Sequence, residues 1–126
     1  MTLQRGDPVP HFKVRTVDGD EFSYATIWQH ANLVLVTLPE SCGQSRYAFE
    51  LSARAAEFRN LKGTCVITRD PVTGVPAPSV LVADRWGEVV HVAPAADENG
   101  LPTPSELLEW LDYVERKCPE CEGEAK

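Results

Sequence analysis

The sequence has no apolar run approaching the ~20 residues of a membrane-spanning helix, and no cluster of lysine and arginine. The first absence argues against a membrane partner. The second, together with a net charge of −7, argues against sequence-independent nucleic-acid binding. The opening Met1-Thr2-Leu3-Gln4-Arg5-Gly6-Asp7 shows neither the charged nor the apolar region of a secretory leader, so a cytoplasmic setting is expected. Cysteine is scarce: the four at positions 42, 65, 118 and 121 are too few and too uneven for a disulfide framework. In a reducing compartment they would be free, redox-active or metal-bound. Internal repeats and low-complexity stretches are missing as well.

What is present is a soluble globular composition, with 43% hydrophobic and 25% charged residues in 126. That length suits one domain, 1–126, able to bury a single core and ending in a short tail over 118–126. Phe12-Lys13-Val14-Arg15 and Glu21-Phe22-Ser23, joined through Asp18-Gly19, predict a hairpin. A short helix is expected over Tyr24 to Gln29. Leu33 to Leu38 is a continuous run with no charged side chain, as in a strand covered on both faces, which points to an α/β sheet.

Residues 42–60 place Ala48, Leu51, Ala55 and Phe58 at helical spacing. Ser41 with Gln44 fits a capping box, which would make Cys42 the first helical residue. Thr64 to Thr68, Ser79 to Val82 and Glu88 to Val92 read as further strands, the last two joined at Asp84-Arg85-Trp86-Gly87. Between the first two lies a Pro- and Gly-rich connection, 69–77. Thr103 with Glu106, and Pro104 between them, predict a final helix with a buried stripe of Leu107, Leu108, Leu111 and Val114.

A thiol at a strand-to-helix junction sits where backbone N–H groups and the helix dipole favour the thiolate, the nucleophile of thiol–disulfide exchange. Cys42-Gly43-Gln44-Ser45 has that setting, with Arg46 adding positive charge nearby. Ser45 stands where a redox Cys-x-x-Cys carries its second sulfur, so one molecule of Cys42 alone cannot complete dithiol exchange. The structural alternative is a cysteine that persists without turnover.

Taken in order, Gly6-Asp7-Pro8-Val9-Pro10-His11-Phe12, Cys42-Gly43-Gln44-Ser45 and Ala77-Pro78-Ser79 followed by Asp84-Arg85-Trp86-Gly87-Glu88 resemble the thioredoxin-fold superfamily, specifically its redoxin branch of peroxiredoxin-like and TlpA-like proteins. The resemblance implies a thioredoxin-like α/β fold: a central mixed sheet flanked by helices, an N-terminal β-hairpin and a shortened connection before a cis-proline strand. It implies Cys42 as nucleophile, Ser45 as its hydrogen-bond partner and Pro78 as the cis-proline shaping a substrate edge. The partners implied are protein or small-molecule thiols and disulfides, without a cofactor or resident metal.

The chain also departs from that pattern. Ser41 replaces the usual aromatic residue, the resolving cysteine is Ser45, and the connection at 69–77 leaves little room for a helix. A thinner cover on the sheet is expected there, hence a groove or a homodimer contact. The peroxidase signature Pro-x-x-x-Thr/Ser-x-x-Cys is absent, since Pro39 lies three residues before Cys42 and Leu35 seven before.

Cys118-Pro119-Glu120-Cys121 could act as a second dithiol, an intermolecular resolving pair, half of a zinc site shared with a partner, or a pair of exposed thiols. Cys65, within an apolar strand, reads as a small core residue. His11, His30 and His91 are scattered, and Trp28, Trp86 and Trp110 read as packing residues. Two functions remain: a monothiol thiol–disulfide oxidoreductase or redox adaptor, and a non-catalytic binding module built on the same scaffold with a degenerate site.

Overall fold

The computed structural model describes residues 2–39 and 45–116. Four strands form the main sheet in the order β4-β3-β5-β6: β3 is Asn32–Thr37, β4 Gly63–Thr68, β5 Ser79–Ala83 and β6 Val89–Pro94. β3 runs parallel to β4 and antiparallel to β5, which is antiparallel to β6. The hairpin of β1 (Lys13–Arg15) and β2 (Glu21–Ser23) forms its own two-stranded sheet, turning at Asp18-Gly19 as expected. Among the described residues there are three α-helices: α1 (Arg46–Ala53), α2 (Ala55–Asn60) and α3 (Pro104–Arg116). Among the described residues, no helix is long and apolar enough to cross a membrane.

All six residues of β3 are buried, because strand alternation sends them to two different cores. Val34 and Val36, with Val80 and Val82 of β5, face a cluster containing Tyr47, Ala48, Leu51, Phe58, Leu107, Leu111 and Val114. All three helices therefore cover one face. Leu33 and Leu35, with Leu81 and Ala83, face Phe12, Val14, Tyr24 and Val72. Hairpin, N-terminal segment and the 72–75 turn cover this second face.

Three expectations need correction. The stretch 42–60 is not one helix: it breaks at Arg54 (φ −109°, ψ 18°), whose guanidinium bonds Glu57 and Ser105. The segment Tyr24 to Gln29 is helical only over Tyr24–Thr26, as a 3₁₀ turn. The 69–77 connection does lack a helix, but it leaves no bare sheet beneath. Val72 is buried and Val75 packs against the second core, while Thr68 Oγ1 donates to Arg15 O at 2.7 Å and Asp70 Oδ2 accepts from Arg15 N–H at 2.7 Å. These bonds seat the hairpin over the sheet.

α3 is capped as the sequence suggests: Glu106 N–H donates to Thr103 Oγ1 at 3.2 Å. The helix starts beside α1 and ends beside the first residue of β3, where Asn32 Nδ2 donates to Glu115 Oε2 at 2.8 Å and Arg85 pairs with the same carboxylate. Burial opposes the Glu115 charge. Hydrogen bonds from Asn32 and Arg85, with the charges of Arg85 and Lys62, still hold its carboxyl below the usual range. Because the folded value lies below the unfolded one, Glu115 adds stability above the unfolded pKa of about 4.3, and that stability is lost as pH falls through the folded value. Glu115→Gln is expected to flatten the acid limb of stability against pH, read as urea midpoints from pH 7 down to pH 3.

Candidate functional site

The candidate site lies where β3 ends. Thr37 is its last residue and pairs in register with Ser79, the first residue of β5. Pro78, buried, immediately precedes Ser79, and the Ala77–Pro78 peptide bond is cis. The chain leaves β3 through Leu38 and Pro39 and is next described at Ser45. Cys42 lies outside the described residues, as do Cys118 and Cys121.

Ser45 is where the sequence reading needs its main correction. Its backbone is extended (φ −95°, ψ 117°), and its Oγ accepts from Ala48 N–H at 2.9 Å. Ser45 is thus the N-cap, and α1 begins at Arg46. The Ser41–Gln44 capping box, with Cys42 as first helical residue, is not the cap of this helix. The local geometry makes the cap: the extended backbone of Ser45 sets its Oγ on Ala48 N–H, three residues on. The helix that follows buries Tyr47, Ala48 and Leu51 in the core, and Tyr47 Oη donates to Pro102 O at 2.6 Å.

A buried polar cluster that the sequence reading passed over closes the same end of the sheet. Thr37 Oγ1 and Ser79 Oγ each donate to Pro76 O at 2.6 Å and lie 3.0 Å apart. Thr37 is 1% exposed and Ser79 0%. Two hydroxyl protons serve three oxygen contacts, and the two shorter ones both end on the carbonyl. One signal was available: each apolar run carries a hydroxyl residue towards its proline side, Thr37 two before Pro39 and Ser79 directly after Pro78.

On α1, Phe49 is 74% exposed, one turn after the Ser45 cap. A cleft of about 170 Å³ against α1 is lined by its Arg46, Tyr47 and Glu50 and by Leu101 and Pro104. A larger cleft, about 410 Å³, lies between Arg5, Glu106, Glu109, Trp110 and Tyr113 and includes neither Ser45 nor Pro78. Trp110 stacks on His91 with centroids 4.3 Å apart, and His11 sits edge-on to Tyr24 and Trp28. Cys65 packs against the helix-side core, and burial pushes its thiol up to about 12. Among the described residues, no group of three or more His, Cys, Asp and Glu side chains could hold a metal ion.

No family model matches the sequence, and no curated protein matches it. Solved structures do. AhpC from Mycobacterium tuberculosis superposes with a TM-score of 0.69 at 12% identity, covering 95% of this chain and 98% of that one. The mitochondrial 2-Cys peroxiredoxin of Plasmodium falciparum gives 0.66 at 10% identity, over 88% and 94%. A putative thiol:disulfide interchange protein DsbE from Chlorobium tepidum gives 0.62 at 16% identity, over 90% and 99%. The fold is thioredoxin-like. In this thioredoxin-like chain, as the redoxin resemblance implies, a mixed sheet carries helices and an N-terminal hairpin stands beside it. At such identities the likeness extends to the fold alone, because function resides in the site and not in the scaffold. The fold brings Pro78, next to Ser79, to the end of β3, and in the sequence Cys42 falls between Pro39 and Ser45.

Proposed function

We propose that this chain carries out thiol–disulfide exchange as a monothiol, with Cys42 as the nucleophile. The Cys42 thiolate attacks one sulfur of a substrate disulfide; that S–S bond breaks, a mixed disulfide forms, and the other sulfur leaves as thiolate. A second thiolate, from an external low-molecular-weight thiol, then attacks the mixed disulfide and returns Cys42. That attack leaves the substrate's second sulfur paired with the external thiol, and a second equivalent of the external thiol releases it. The substrate disulfide is thus reduced to two thiols, two external thiols are oxidised to their disulfide, and the protein is unchanged. Pro78 shapes the edge against which the substrate lies. The observation that supports this reading best is Ser45 as the N-cap of α1, three residues after Cys42 and in the place of a second sulfur. Release therefore depends on an outside thiol, or on Cys118 and Cys121 of another molecule.

The test is site-resolved mass spectrometry of the native protein after exposure to glutathione disulfide, paired with alkylation rates against pH. One adduct is expected on Cys42, lost in Cys42→Ser, with an alkylation midpoint below the ordinary ~8.5. Cys65 should stay unmodified in the folded protein, because its thiol is pushed up to about 12. An ordinary midpoint for Cys42, or adducts confined to Cys118 and Cys121, would overturn the proposal. The same partners captured by Cys42→Ser as by wild type would favour the scaffold reading.

A further inference from the structure

We propose that Thr37 and Ser79 are positioning residues for the exchange site, holding segment 76–78 against the end of β3; this rests on Cys42 being the nucleophile. Two of the three residues in that segment are prolines and have no N–H to give to a ladder. The segment is tied down through its carbonyls instead. Pro78 O accepts from Ala95 N–H at 3.1 Å. Pro76 O accepts from both Thr37 Oγ1 and Ser79 Oγ at 2.6 Å.

These hydroxyls belong to neighbouring strands in register, so the carbonyl is clamped to β3 and β5 together. Thr37 is also the last residue of the strand that leads to Cys42. One pair of side chains therefore sets the separation between the wall of the site and the strand delivering the thiol. Both hydroxyls are buried away from solvent, so neither can be replaced by water without rearrangement. Since each hydroxyl bonds the carbonyl directly, loss of one leaves the other in place. The two positions should be coupled.

An extended peptide disulfide must lie along segment 76–78, whereas a small aromatic disulfide need only reach the sulfur. The test compares rates of mixed-disulfide formation at Cys42 with a disulfide-bonded peptide and with 2,2′-dithiodipyridine. The proteins are wild type, Thr37→Val, Ser79→Ala, the double variant and Thr37→Ser. Each single removal should slow the peptide about two- to threefold, and the double variant about tenfold or more, exceeding the product of the singles. The small disulfide should change by less than about twofold, and Thr37→Ser should match wild type.

An equal fall with both disulfides, or a double variant that handles the peptide as wild type does, overturns the inference while leaving Cys42 as nucleophile. Absence of any Cys42 adduct in wild type overturns both. If the double variant does not fold, the single variants decide: an unchanged ratio of peptide to small-disulfide rates in both overturns the inference.

Discussion

Ser45→Cys is expected to turn the protein from a monothiol into a dithiol reductant, raising dithiothreitol-driven reduction of insulin by at least about tenfold. An attack by a neighbouring sulfur replaces a bimolecular step with an intramolecular one, where effective concentrations far exceed those of any added thiol. Mass spectrometry should show an intramolecular disulfide joining Cys42 to the sulfur introduced at position 45, where wild type retains a mixed one. The substitution has a structural cost, because Ser45 Oγ caps α1 through Ala48 N–H at 2.9 Å and sulfur is a weak acceptor. Losing that cap costs about 1 kcal/mol. A melting point lower by roughly 3–6 °C follows. Ser45→Ala should show the same loss of stability with no gain in turnover, which separates cap from chemistry. Insulin reduction by folded Ser45→Cys no faster than by wild type would count against Cys42 as the attacking thiol.

Leu111→Ala should have the largest effect on stability, about 2–5 kcal/mol, out of a total typically about 5–15. Leu111 is fully buried in the helix-side core. Opposite it lies Gly63, the first residue of β4, where a Cβ would come within 2.6 Å of Leu111 Cδ1. The glycine permits α3 to approach the sheet, so removing the leucine leaves a void with no side chain on the other wall to fill it. Gly63→Ala alone should destabilise by about 1–3 kcal/mol through overpacking. Combined with Leu111→Ala it should cost less than the two singles added, since the new methyl enters the space the leucine left. Urea unfolding reads this as a shift in midpoint at constant m. Strict additivity would mean that the two positions do not share one cavity.

The strands were legible because their signal is local. The apolar run through Leu38 could satisfy neither face in water, and β3 proves buried on both. Asp18-Gly19 supplies a turn residue that accepts positive φ, and Gly19 adopts φ +94°. Thr103 caps α3 as its spacing to Glu106 suggests. The start of α1 was not legible, because two serines four apart both offer a cap oxygen. Sequence-level capping chemistry does not choose between Ser41 and Ser45; the extended backbone of Ser45 in the folded chain, with its Oγ on Ala48 N–H, does. At the break, Arg54 bonds Ser105, 51 residues away, and helical periodicity takes no account of such a partner. Segment 69–77 gave no sign that Val72 would be buried under the hairpin, since its apolar residues are single and irregularly spaced.

By itself, the sequence determined which residues must leave water and which thiol stands between a strand and a helix, because burial and turn chemistry act on neighbours in the chain. It also determined the missing second sulfur at Ser45. The tertiary structure alone decided that Ser45 is a helix cap, that all three helices share one face, and that Thr37 and Ser79 meet on one carbonyl. Thr37 lies 39 residues from Pro76 and 42 from Ser79. Strand register closes such distances, and a hydrogen bond between side chains so far apart has no counterpart in local propensity.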